Sequence, residues 1–328
     1  MIVDLHTRTW NSVDALGDAI AAQARRTRRD PSKALTASFD VHEVAMAPVS
    51  VAIVHGLDSH LLGARIDAAA VAAGVARSGD TLLGFAGLDP LSEDPVGRLA
   101  AAVDEHGCVG VNLCPAAGGF HPSSTPAMEL FEAVAGRGLP VYVEAGHRLA
   151  REAKLEFAQP FLLDEVLRSF PGMKLVVSGF GEPWTEQTVA LLRKHPNAFT
   201  DVSGLSDRPW QLYNALVAAW QAGVMDQVLF GSGFGCPGAG AEPEKAIVTL
   251  YSVNAVSQGT PLPSIPREQL RGVVERDTLT LLGLADPRPA DGSDAKSSSA
   301  FARVVVDAKG QPADEAQPEA GPRAAAHK

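Results

Sequence analysis

The sequence predicts an α/β protein, a single (β/α)8 TIM barrel followed by a disordered C-terminal tail. Three observations lead there. Eight short apolar runs are bounded by Gly, Pro or Asp, Ala- and Leu-rich helical stretches separate them, and most runs are apolar throughout rather than alternating. Strands apolar on both faces belong to a parallel sheet that is covered on both sides. An open doubly wound sheet shares that pattern, but eight βα repeats over about 285 residues favour closure.

The predicted strands run from Ile2 to His6, Val49 to His55, Leu82 to Ala86, Val109 to Leu113, Pro140 to Glu144, Lys174 to Ser178, Ala198 to Val202 and Gln227 to Gly231. Between the last two, Ser206 or Asp207 is placed to cap a helix, Pro209 sits in its first turn and Gly223 follows its end. Trp210, Leu212, Tyr213, Leu216, Val217 and Trp220 recur at helical spacing, which predicts one face packed against the barrel.

After Leu284 the composition turns to Pro, Ala, Ser and charge. Residues 1–285 therefore read as the barrel and 286–328 as the tail, interrupted only by Phe301 to Val306, apolar enough for a short strand or docking segment.

Composition excludes several functions. With 46% apolar residues in 328 and a formal charge of −10, the chain suits a large core and lacks the basic stripe of a nucleic-acid binder. The one basic cluster, Arg25, Arg26, Arg28 and Arg29, reads as a solvated helix end. The N-terminus has acid where a signal peptide needs basic residues, and no apolar run reaches membrane-spanning length, so the expectation is a cytoplasmic protein. Cys108, Cys114 and Cys236 do not form a disulfide framework. The glycine-dense segment from Gly231 to Gly240 lacks the Lys of a phosphate loop, and no serine sits in a nucleophile elbow.

In such barrels chemistry collects at the C-terminal strand ends. The first strand ends Asp4-Leu5-His6-Thr7-Arg8. Later stretches are Gly84 to Pro90, Gly107 to Pro115, Leu139 to Gly146, Phe170 to Gly181, Asn197 to Gly204, Val228 to Gly235 and Asp277 to Leu284. In this order they resemble the conserved segments of the amidohydrolase-related superfamily, metal-dependent decarboxylases and hydrolases of small carboxylated rings and lactones. The likeness spans residues 1 to 285 and implies the same barrel.

What the resemblance implies for the site is different. The family's metal ligands come from the first, fifth and eighth strands. His6 matches the first ligand, but Arg8 stands for the second His, Glu144 for the fifth-strand His and Gly233 for the eighth-strand Asp; Gly179 replaces the sixth-strand His. A fixed guanidinium beside a divalent ion would repel it. No metal or other cofactor is therefore expected. The alternative is a zinc site rebuilt from His6, Glu144, Cys114 and Cys236. If Arg8 and Glu144 both point into the mouth, a charge-assisted pair could fill the vacated space.

Glu144 and Asp201 are the candidates for catalysis, and His6, Arg8, Asn112, Cys114, Gly179 and Gly233 for substrate contact. His55, ending the second strand, reads as a hydrogen-bonded core residue, and His42, His60, His121 and His147 as surface residues. Three functions follow: a noncatalytic barrel keeping a small-molecule pocket, a metal-independent or remodelled hydrolase or decarboxylase, and a partner of an active paralogue or a homo-oligomer. No nucleic acid or membrane is expected as partner.

Overall fold

A computed structural model of the chain describes residues 1–27, 35–237 and 241–289. Arg28 and Arg29, Gly238 to Gly240 and the predicted tail from residue 290, with its Phe301 to Val306 segment, lie outside the described residues.

Eight parallel strands follow one another in sequence order. They are β1 (Val3–Thr7), β2 (Val51–His55), β3 (Leu82–Leu88), β4 (Gly110–Leu113), β5 (Val141–Val143), β6 (Leu175–Val177), β7 (Ala198–Asp201) and β8 (Val228–Leu229). The last strand returns to the first: Leu5 N–H donates to Phe230 O at 3.0 Å, and Arg8 N–H to Phe234 O at 2.8 Å. These bonds satisfy both edges of the sheet, so the eight strands form a nearly closed TIM barrel.

Two hydrophobic clusters show why the strands are apolar on both faces. Val3, Leu5, Val51, Ile53, Leu83, Phe85, Tyr142, Val176, Phe199 and Leu229 fill the interior, with Leu279 and Leu282 of the last helix, Thr278–Leu282, packed against them. Val111, Leu113, Val141, Val143, Leu175 and Val177 point the other way, into the helix layer. The side-chain period of two thus delivers Asn112, Tyr142 and their neighbours inward while Leu113 and Val143 face out.

All eight predicted strands are present, each within two residues of its predicted bounds. One pairing was not predicted, a hairpin of Leu57–Ser59 with Ala64–Ile66 after β2. The helix after β7, Pro209–Gln221, corrects two expectations. Arg208 occupies its cap position without a side-chain cap bond, and Asp207 is ion-paired with Lys245 instead. Leu212, Tyr213 and Leu216 are buried as expected, whereas Trp210 is 53% exposed and stacks on Tyr213. Gly223 does follow the helix, at φ +74°. Among the described residues no helix is long and apolar enough to cross a membrane.

Candidate functional site

The polar residues of the barrel gather at its C-terminal strand ends, as expected. Below them the interior is aliphatic and aromatic. Above them opens a cleft walled by His6, Glu144, His147, Arg148, Ser178, Gly179, Glu182 and Ser203 among others.

At the centre, Arg8 and Glu144 meet. Arg8 Nη2 donates to Glu144 Oε2 at 2.7 Å, and both groups are buried. Burial alone would push the Glu144 carboxyl up, but the Arg8 guanidinium and the imidazoles beyond it outweigh that and hold its pKa at about 2. Burial likewise penalises the Arg8 charge, and Glu144 more than compensates, so its pKa is raised. The pair is therefore ionised at any ordinary pH. Arg8 Nε also donates to His55 O at 3.4 Å, while Nη1 has no partner within the protein.

His6 stands beside this pair, its Nε2 3.9 Å from Glu144 Oε2. Burial lowers its pKa, which favours the neutral ring. Its hydrogen bonds settle the tautomer. Ser203 Oγ donates its single proton to Asp201 Oδ1 at 2.6 Å, so it accepts from His6 Nδ1–H at 3.1 Å. The Nε2 lone pair then faces the Cys236 thiol, with Sγ at 3.1 Å.

Asp201 anchors the far end. It accepts Tyr142 Oη at 2.7 Å on Oδ2, and on Oδ1 the amides of Gly179 at 2.7 Å and Ser203 at 3.1 Å. With four donors on its two oxygens, its carboxyl is committed to structure. Tyr142, packed against His6 with ring centroids 4.7 Å apart, has its pKa raised by burial and by Asp201.

The remaining predicted residues fall below or beside the cleft. Asn112 Nδ2 donates to Gly56 O at 2.9 Å and leaves Oδ1 without a protein partner. The Cys114 thiol points at Glu144 Oε2, 3.6 Å away, and burial raises its pKa. Gly233, at φ +72°, donates its amide to His6 O at 2.9 Å. Gly179 has φ +54°, and a Cβ there would lie 2.5 Å from Ser203 O. The backbone at the sixth strand end has thus closed over the place a longer side chain would need. Of the predicted site residues only His6, Glu144 and Gly179 wall the cleft.

Among the histidines, His55 is the buried core residue expected, donating Nε2–H to Leu5 O at 2.8 Å. His42 is a correction. It is 1% exposed, and its Nε2–H donates to Thr7 Oγ1 at 2.9 Å because the Thr7 hydroxyl proton is given to Ile53 O. His147 is half-buried on the cleft wall, and burial brings its pKa down to about 4. Arg148 and Arg208 clamp Glu182 from two sides, at 3.1 and 2.9 Å. None of Arg148, Glu182, Ser178 and Ser203 was singled out from sequence. Two of them carried a signal, Ser178 at the end of the predicted sixth strand and Ser203 two residues after Asp201, each in a family-like segment.

Do these residues fit a divalent metal? They do not. The carboxylate oxygen that faces His6 is already occupied by Arg8, whose charge would stand beside the ion. The two thiols of the rebuilt zinc alternative are raised by burial and act as donors to Glu144 and His6. Among the described residues no three His, Cys, Asp or Glu side chains converge as a metal needs.

A nearly closed eight-stranded parallel barrel with its polar residues at the C-terminal strand ends defines the class as a TIM barrel. The family follows from sequence comparison. The Amidohydrolase family model matches residues 3–252, and the chain belongs to that family.

Solved structures agree on the fold. An uncharacterized TIM-barrel protein from Bordetella bronchiseptica superposes with a TM-score of 0.66 at 19% identity, over 86% of this chain and 98% of that one. A probable 2-pyrone-4,6-dicarboxylic acid hydrolase from Acinetobacter baumannii, solved with citric acid bound, gives 0.59 at 15%, over 86% and 99%. The 5-carboxyvanillate decarboxylase of Sphingomonas paucimobilis gives 0.59 at 14%, over 87% and 99%. Comparison with curated proteins gives no match.

Proposed function

We propose that this chain is a noncatalytic member of the amidohydrolase family, a barrel that binds a small ligand at its mouth without metal-dependent hydrolysis or decarboxylation. The observation that carries the reading is the Arg8–Glu144 pair at 2.7 Å. Metal-assisted chemistry needs a bound cation to polarise substrate or activate water. Here a guanidinium supplies positive charge at that place, yet it cannot ionise a water or accept a ligand electron pair.

The cleft supports ligand binding. Ser178, Ser203, His147 and Arg148 offer hydrogen-bonding groups on its wall. Two structural relatives are described as acting on 2-pyrone-4,6-dicarboxylic acid and 5-carboxyvanillate, both small carboxylated rings. Arg148 on the cleft wall suits a ligand carboxylate. A metal-independent enzyme using Glu144 as acid or base is less well supported. With Arg8 holding its pKa near 2, Glu144 is a poor proton acceptor at neutral pH.

Titration calorimetry with these two compounds and related carboxylated rings tests the reading, with products followed in parallel and zinc or manganese present or absent. Saturable binding without product is expected. Turnover that depends on added metal contradicts it, and no binding by any of the rings contradicts its ligand-holding half.

A further inference from the structure

We propose that Cys236 is a nucleophile that adds to a small α,β-unsaturated carbonyl compound or carboxylate, with His6 moving the proton and Ser203 and Asp201 as positioning residues.

The geometry is a continuous chain of hydrogen bonds. The Cys236 thiol faces His6 Nε2 at 3.1 Å, His6 Nδ1–H donates to Ser203 at 3.1 Å, and Ser203 donates to Asp201 at 2.6 Å. Tyr142 and the Gly179 amide lock Asp201 in turn. This is the logic of an activated thiol: a nucleophile within reach of a base that a third group holds in one tautomer. The metal-free reading of the site leaves this thiol and this imidazole unused.

A second observation says what the thiol would meet. Arg8 Nη1 belongs to a fully buried side chain, has no partner within the protein, and its charge acts on the Cys236 thiol. A buried cationic donor left over beside a nucleophile suits the carbonyl or carboxylate oxygen of an electrophile. The cleft wall includes His6, the partner of the thiol, and Pro237, the residue next to Cys236, so the proposal takes the cleft as the route in.

Burial pushes the Cys236 thiol pKa up, so no standing thiolate exists and the proton must leave as the bond forms. The step balances without a co-reactant. The sulfur bonds to the β-carbon, the carbon–carbon π bond breaks, and the thiol proton passes to His6 Nε2 and then to the α-carbon. His6 ends neutral, as it began.

Cys108 is the matched control, because it is 3% exposed and Cys236 4%. The native full-length protein is treated with acrylamide, and labelling of each cysteine is followed by peptide mass spectrometry. Cys236 is expected to react at least about tenfold faster than Cys108, and His6→Gln to slow it by about 10²-fold, the usual scale of general-base assistance. The wild-type rate should level off with rising pH once His6 is neutral. An unassisted thiol far below its pKa would instead gain about tenfold per pH unit.

Ser203→Ala, which frees the His6 ring, should shift the profile towards that unassisted slope while Cys108 labelling stays unchanged. Equal rates at Cys236 and Cys108, or an unassisted slope in the wild type, would overturn the proposal even if neither variant folds. Either failure leaves the metal-free reading standing, since that reading falls only with metal uptake or metal-dependent turnover.

Discussion

The guanidinium of Arg8 and the carboxylate of Glu144 lie 2.7 Å apart at the top of the barrel, joining the end of β1 to the end of β5. Both positions resemble histidine ligand positions in the wider family. Their charges neutralise each other inside the buried mouth of the barrel. Each charge is thus the buried counter-ion of the other.

Removing either partner alone should be costly. Glu144→Gln leaves Arg8 charged, buried and without its counter-ion, and is expected to lower stability by about 3–5 kcal/mol. The double variant Arg8→Met with Glu144→Gln should recover a large part of that loss. Urea unfolding of the two singles and the double gives the coupling directly. Additive effects would show that the two side chains do not depend on each other.

His42 predicts a pH dependence. Burial brings its pKa down to about 4, below that of an unfolded histidine, so the unfolded state binds the extra proton first as pH falls. Stability contributed by the neutral ring is full at pH 7 and is lost between about pH 6.5 and 4. His42 alone should contribute about 2 kcal/mol less to stability at pH 5 than at pH 7. His42→Gln, which keeps a donor to Thr7, should lose that increment of pH dependence. A slope identical to that of the wild type would show that His42 contributes nothing to the acid sensitivity.

Gly179→Ala tests the closed sixth strand end. The substitution puts a side chain at φ +54° with its Cβ 2.5 Å from Ser203 O. A loss of about 2 kcal/mol or more is expected in denaturant unfolding. Near-wild-type stability would mean that this end can open, and that a histidine could have been kept there.

The helix Pro209–Gln221 separates packing from periodicity. Leu216 is fully buried, so Leu216→Ala should cost about 2–5 kcal/mol. Trp210→Ala, at a half-exposed position, should cost less than about 1 kcal/mol. Similar losses at both sites in thermal or urea unfolding would restore Trp210 to the packed face.

The fold was legible because each strand carries its own apolar run and boundary residues. Local signals of that kind survive even in β8, which the ladder reduces to two residues. The Leu57–Ser59 hairpin was missed because its first arm continues directly from β2 after a single glycine, with no separate turn signal. At the site, His6, Arg8, Glu144 and Gly179 were legible through their place in ordered motifs. Arg148 and Glu182 were not, since each belongs to a loop and gains meaning only when the two loops meet at 3.1 Å. Asp201 was legible as a site residue but not in its role. Sequence could not reveal that Tyr142, Ser203 and Gly179 would engage both its oxygens.

Metal content tests the central claim most directly. The full-length protein, purified without chelator, is dialysed against zinc or manganese and then against metal-free buffer, and the retained ion is measured by elemental mass spectrometry. With Arg8 and Glu144 paired at the barrel mouth, less than about 0.1 equivalent per chain should remain. Retention of about one equivalent per chain would contradict the account, because a structural or catalytic site holds its ion that tightly.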